Sequence, residues 1–217
     1  SLDRSAAGQI DGADEFLGPS TTTYLTLQDG DLGANDPFTV SAWFYVDTST
    51  AWAGIVTKGR ETGNDWVGLW ANGTQYSFGW DWQGTPSKGG NLDGSTLNLD
   101  TWYYGVGTFD GTDRRLYLNN ALDAGPSAGY YDGLTGSDTS VGNDRVDANA
   151  NSFDGTVDEV RLASAVRSLS WIQTEYNNQS SPSTFFLPLG SEEQLPSVDI
   201  TVSVTHTAAD GSNPQAI

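Results

Sequence analysis

Hydrophobic and polar residues alternate along most of this chain with a period of two, the spacing that sends successive side chains to opposite faces of a β-strand. The clearest run is FTVSAWFYV, Phe38–Val46, where Phe38, Val40, Ala42, Phe44 and Val46 share one face and Thr39, Ser41, Trp43 and Tyr45 share the other. The first is a core face. The second mixes polar groups with large aromatics and suits a partly wet, usable platform. Further strands are predicted over Thr22–Leu27, Ala53–Lys58, Asp65–Trp70, Gln75–Trp82, Thr101–Phe109 and Arg114–Asn120, and the series continues in SVGND and GTVDEVRL. Asn72-Gly73 closes one hairpin, DGTD another, and Asn119-Asn120 supplies a following turn. Turn signals recurring about every ten residues predict an all-β fold, a two-sheet antiparallel jelly-roll sandwich.

The period changes once. In SLSWIQTEY, Ser168 is suited to cap a helix over about 168–177, with Leu169, Ile172 and Tyr176 along one face and Asn177-Asn178 ending it. A single short helix after many strands is expected to plug an open end of the sandwich. Beyond STFFLPLGSEE, Pro196 breaks the pattern and VDITVSV places Val198, Ile200, Val202 and Val204 on one side of an amphipathic strand. Residues 1–193 therefore read as one domain, and 194–217 as an extension that is a linker, a donor strand or the start of a further domain.

Composition narrows the chemistry. Net charge is −19, with 28 acidic against nine basic residues and only Lys58 and Lys88 as lysines, so nucleic acid and anionic membranes are repelled rather than steered. There is no cysteine, which removes disulfides, thiol catalysis and thiolate metal sites, and the lone His206 rules out a multi-histidine centre. Any metal is then expected to be a hard cation on oxygen ligands. The absence of methionine and of a long apolar segment suggests a processed, exported chain with no membrane-spanning stretch.

The motifs FTVSAWFYV, IVTKG, TWYYGVGTFDG, RLYLNN, FDGTVDEVRLASAVRS and WIQTEYNNQSSPSTFF, in that order, resemble bacterial and archaeal laminin-G-like domains of the concanavalin A-like lectin/glucanase type, found in large secreted surface proteins. The match runs from about Gly8 to Glu193. It implies two antiparallel sheets, one curved, with a face and rim loops that bind sugars or proteins; lectins, carbohydrate-binding modules, laminin modules and glucanases all share the architecture. Similar domains open with an additional strand ahead of the stretch aligned with GQIDGADEFLG, and the resemblance leads us to expect Ser1–Ala7 to be too few residues to supply it. The Val198–Val204 strand is the kind of segment that fills such a gap, in its own domain or a neighbour's.

Two constellations could carry a ligand. In VDANANSFDGTVD, Asp147, Asn149 and Asn151 occupy alternate places of a calcium-loop pattern and Asp158 the twelfth, although Ser152 replaces the loop glycine and the flanks read as strands. Glycan-active relatives hold a structural calcium with a side chain on a late strand, and Asp158 matches that place; the bland alternatives are a turn cap or a pair with Arg145. Asp158 also has the parity of Val160 and Leu162, which aims its carboxylate at the apolar side unless the pairing shifts. The second constellation is aromatic. Trp66, Trp70 and Trp82 are candidate sugar-stacking rings, with Asp65, Asp81 and Arg145 as polar neighbours, whereas Tyr76 and Phe78 are assigned to the core.

Catalysis is disfavoured. Jelly-roll glucanases deliver their carboxylates from one strand as Glu-x-Asp-x-(x)-Glu, and no such triplet occurs; nor does a G-x-S-x-G elbow or a phosphate loop. The expectation is a non-catalytic extracellular binding or adhesion module that recognises a glycan or a cell-surface protein, with a structural calcium. The rivals are a filament or surface-layer subunit self-associating through residues 198–204, and a polysaccharide hydrolase or lyase.

Overall fold

The computed structural model describes residues 5–18, 24–27, 32–60, 65–81, 90–131, 133–134, 138–144 and 151–185. The chain divides into Ser1–Phe186 and Leu187–Ile217, and the Val198–Val204 segment lies outside the described residues. One sheet has seven strands in the order β1 (Ser5–Ala7), β2 (Gly12–Leu17), β13 (Asp154–Ala163), β4 (Phe38–Val46), β9 (Trp102–Phe109), β10 (Asp113–Leu118) and β11 (Ala121–Ala128). The other has six, in the order β3 (Leu25–Leu27), β12 (Thr139–Val141), β5 (Ala53–Arg60), β6 (Asp65–Asn72), β7 (Gln75–Asp81) and β8 (Gly90–Thr96). The neighbours pair antiparallel, and the jelly-roll sandwich read from the alternation is the observed fold.

The core lies between the sheets. Phe38, Val40, Ala42, Phe44 and Val46 of β4 are all buried, facing Ile55, Val67, Leu69, Tyr76, Phe78 and Trp80 of the other sheet. Phe38 meets Phe78, Trp80, Phe109 and Tyr131 at ring distances of 5.6–6.5 Å in tilted or edge-on geometry. Gly107 of β9 belongs to this packing, because a Cβ there would fall 2.4 Å from the Phe78 ring.

Three expectations change. Ser5–Ala7 does form a strand upstream of GQIDG, pairing with Gly12–Asp14, since a hairpin edge needs only three residues. The helix, α1 (Leu169–Ser180), does not plug an end; it lies on the outer face of the seven-stranded sheet. Trp43, expected on an open platform, is buried beneath it, stacked on Tyr176 at 5.4 Å and donating from Nε1 to Gln179 Oε1 at 2.6 Å. Ser168 does cap α1, accepting from the Trp171 N–H at 3.2 Å, and Ile172 is fully buried, but Leu169 is exposed. A second, four-residue helix, α2 (Pro182–Phe185), follows.

The bulge in β13 settles the acidic pair. Asp158 pairs with Trp43 and Arg161 with Ser41, so Glu159 and Val160 together oppose one residue of β4, and Glu159 takes φ of 52°. That extra residue reverses the parity. Asp158 thus shares the outer face with Trp43, while Leu162 beyond the bulge pairs with Val40. Its Oδ2 accepts the Ile10 N–H at 2.9 Å in the β1–β2 turn, and a Cβ on Gly8 would lie 2.6 Å from that oxygen. Glu159 is bonded to Arg161, and Gln179 Nε2 donates to it at 3.4 Å, while Arg161 Nη1 reaches Glu175 at 2.6 Å, tying the bulge to α1. Asp158→Ala should lower stability by about 1–2 kcal/mol, the cost of stranding a partly buried N–H. Urea denaturation would show it. A loss seen only in calcium, and absent in chelator, would mark Asp158 as a metal ligand instead.

Carboxylates crowd one end of the seven-stranded sheet. Partial burial, then the charges of Asp154, Asp100 and Glu15, raise the Asp47 carboxyl above its ordinary value. The folded state therefore holds that proton more tightly than the unfolded chain does, and ionised Asp47 opposes folding at neutral pH. Asp47→Asn should raise the thermal midpoint at pH 7, with a gain that fades as the pH falls to about 4, where the unfolded carboxyl is also protonated. A gain independent of pH would refute this account.

Candidate functional site

Alternation in β6 and β7 builds a second working surface on the outside of the six-stranded sheet. Val67, Leu69 and Ala71 point inward opposite Trp80, Phe78 and Tyr76, so Trp66, Gly68 and Trp70 point outward opposite Asp81, Gly79 and Ser77. The cross-strand row through the middle reads Thr57, Gly68, Gly79, Asn91. Two adjacent glycines make a trough. At Gly79 a Cβ would sit 2.8 Å from Asn91 Oδ1, so the missing side chain is what lets the Asn91 amide lie along the sheet.

Over this trough opens a cleft of about 380 Å³ lined by Trp52, Trp66, Trp70, Gly90, Asn91, Asp144 and Asn151. Trp66 and Trp70 meet edge to face, 4.7 Å between centroids at 72°. Trp70 is 1% exposed, so it is a wall rather than a free ring. Its Nε1 donates to Asp144 Oδ1 at 2.8 Å, and Asn151 Nδ2 donates to Oδ2 at 3.0 Å, which orients a carboxylate that is itself buried. Trp52 is the opposite case, 39% exposed at the mouth, with φ of 56° and its N–H donating to Asn72 Oδ1 at 3.3 Å. A bulky residue in the left-handed region costs roughly 1–3 kcal/mol and persists where surrounding structure or function requires it.

The wall on the Asp144 side is made where residues 143–144 meet residues 151–152. Asn143 bridges to Ser152, the Asp144 N–H donates to Asn151 O at 3.2 Å, and Gly54 N–H donates to that same carbonyl. Asp144 and Asn151 are thereby held together across the calcium-like segment. Arg145, Asp147, Asn149 and Trp82 lie outside the described residues, as do the side chains of Asp65 and Asp81, whose backbones open β6 and end β7.

Trp66, Trp70 and Asn151, drawn from the aromatic and calcium constellations, share this cleft. Asp158 does not join Asn151, being on the outer face of the other sheet with its Oδ2 accepting the Ile10 N–H of the hairpin turn. Among the described residues no group of three or more histidine, aspartate or glutamate side chains is arranged to hold a metal, and no helix is long and apolar enough to cross a membrane. Sequence reasoning missed Trp52, Asn91 and Asp144. Trp52 carried one usable signal, a large ring in a turn outside the alternating pattern.

A family model described as the concanavalin A-like lectin/glucanases superfamily matches residues 19–173. The chain belongs to this superfamily. Among solved structures it is similar to domain 4 of AbnA, a GH43 extracellular arabinanase from Geobacillus stearothermophilus in complex with arabinotriose, at 20% identity and a TM-score of 0.59, covering 78% of each chain. It is also similar to a heptameric SAP-like pentraxin from Limulus polyphemus, at 14% identity and TM-score 0.58 over 79% of this chain and 84% of that one. A candidate carbohydrate-binding protein from Bacteroides ovatus matches at 19% identity and TM-score 0.56, over 74% of this chain and 45% of that one. At such identities these likenesses establish the fold. No curated protein matches the chain in sequence. The superfamily houses both glycosidases and non-catalytic binding domains.

Proposed function

We propose that this domain is a non-catalytic glycan-binding module that works outside the cell, with the Trp52–Trp66–Asp144 cleft as its binding site. The observation that carries the reading is the pairing of two accessible indoles with a fixed carboxylate over a glycine trough. Pyranose C–H faces stack on such rings while an oriented carboxylate takes hydroxyl protons. The arabinotriose complex of the similar arabinanase domain supports the substrate class.

Retaining hydrolysis needs two carboxyl groups about 5–5.5 Å apart and inverting hydrolysis a pair about 6.5–9.5 Å apart. Among the described lining residues Asp144 is the one carboxylate, which favours binding over cleavage. A glycan panel run with calcium and with chelator tests the proposal: saturable quenching of tryptophan fluorescence by at least one oligosaccharide, without release of reducing ends, is expected. Silence across the panel in both conditions refutes it, and the calcium arm decides whether a cation contributes.

Trp52 offers an independent check. Trp52→Gly relieves the left-handed backbone, so it should raise the thermal midpoint by a few degrees while weakening sugar binding about tenfold. If stability rose and binding were unchanged, Trp52 would not be part of the site.

A further inference from the structure

A second cleft, of about 350 Å³, opens on the outer face of the seven-stranded sheet beside the first turn of α1. Small residues form much of its floor. Thr39 and Ser41 of β4 pair there with Ala163 and Arg161 of β13, and Arg167 and Trp171 complete the lining. The arginines of this chain are mostly occupied: among the described residues Arg115 reaches Asp110 and Asp113, Arg161 reaches Glu159 and Glu175, and Arg114 donates to Gly90 O. Arg167 is the exception. Its half-buried guanidinium lies over the Trp171 ring, 4.6 Å from the centroid, and meets no carboxylate or carbonyl among those residues.

The backbone beneath it is fixed, because the Arg167 N–H donates to Thr39 Oγ1 at 2.9 Å and that hydroxyl donates in turn to Ala165 O at 2.8 Å. Nε is fully enclosed, so the two Nη groups, which are not, are the donors left for a ligand. A guanidinium held flat on an indole keeps its fork in one plane, the geometry that gives a carboxylate two parallel N–H bonds. We propose that this cleft is a second binding site, one that takes a single carboxylate on the Nη groups of Arg167, carried by an acidic sugar such as a uronate or by a small organic acid. One negative charge fits, since Arg161 arrives already matched by two glutamates and leaves Arg167 as the one unmatched cation of the lining among the described residues. The Trp52 cleft lies on the other sheet. Either site can therefore fail without the other.

The test titrates the isotope-labelled full chain in chelator at about 0.15 M salt, following the backbone N–H resonances from Val160 to Trp171. The probes are methyl glucuronide, methyl glucoside and propionate. Methyl glucuronide should shift these resonances saturably and bind about tenfold or more tightly than the glucoside, which lacks the charge. Arg167→Gln should weaken glucuronide binding by about tenfold or more, and Arg167→Lys, which keeps the charge without the fork, should stay about threefold or more below the natural chain. Should the glutamine variant fold poorly, the lysine variant and the positions of the shifted resonances decide. Propionate equalling the glucuronide, with the same dependence on Arg167, supports the site and makes a small organic acid its ligand; a tighter glucuronide makes the ligand an acidic sugar. The proposal is overturned if the glucoside binds as tightly as the glucuronide, if glucuronide binding survives Arg167→Gln unchanged, if the shifts fall only on residues lining the Trp52 cleft, or if neither carboxylate binds. The Trp52 cleft is judged separately, by neutral oligosaccharides and by Trp66→Ala.

Discussion

Replacing Trp66 with alanine is expected to weaken saccharide binding by about thirtyfold or more, corresponding to the ~2 kcal/mol or greater cost of truncating a tryptophan that anchors a binding surface. The ring projects from the outer face of β6, is only partly buried, and braces edge-on against Trp70. Its removal opens the trough without touching the core, since the core residues of the same strand, Val67 and Leu69, face the other way. Denaturation should therefore show a change in stability small beside the change in affinity. Titration of tryptophan fluorescence, with a thermal melt on the same sample, separates the two. Equal losses in both would mean that Trp66 is a packing residue and that the site lies elsewhere.

The largest effect on stability is expected at Trp43. This indole is 2% exposed, stacks on Tyr176, lies 5.3 Å from Tyr104 and donates to Gln179, so it is the main contact through which α1 is seated on the sheet. Trp43→Ala should cost about 3–5 kcal/mol, the range for emptying a buried aromatic site. Trp43→Phe should cost less, keeping a stacked ring but leaving Gln179 Oε1 without its donor. Tyr104 adds a second link: burial, then its hydrogen bond to Glu175, holds the phenol well above its ordinary pKa, so it stays protonated as a donor across the neutral range. Equilibrium urea unfolding of both variants, read by helical ellipticity and by sugar binding, checks the assignment. If Trp43→Ala lowered affinity without lowering stability, the part of the seven-stranded sheet beneath α1 would be a ligand surface after all.

The core was legible because burial and strand period say the same thing. Phe38 to Val46 alternates cleanly, and every inward residue it named is buried. Hairpins were legible where turn chemistry is local, as at Asn72-Gly73, where Gly73 has φ of 63°, and Asn119, at 57°. The strands that escaped notice, GADEFL in β2, GNLDGST in β8 and ALDAGPSA in β11, are rich in glycine, aspartate or alanine and have little strand propensity of their own. Neighbours hold them in place, and β11 accepts Pro126 because an edge strand has no partner on its far side.

The site was half legible. Parity put Trp66 and Trp70 on one outer face, but it could not tell a free ring from a walled-in one. Asp158 was misplaced for a related reason, since a single extra residue at Glu159 reverses every side chain on one side of the bulge, and nothing in DEV announces it.

What the sequence alone determined is the two-layer sandwich, its aromatic core, its acidic surface and the family to which it belongs, because these depend on local period, composition and motif order. Tertiary structure decided which aromatics remained accessible and which carboxylate came to lie beside them. Asp144 reaches Trp70 across 74 positions of chain, and only strand order and register bring such distant residues within hydrogen-bonding reach.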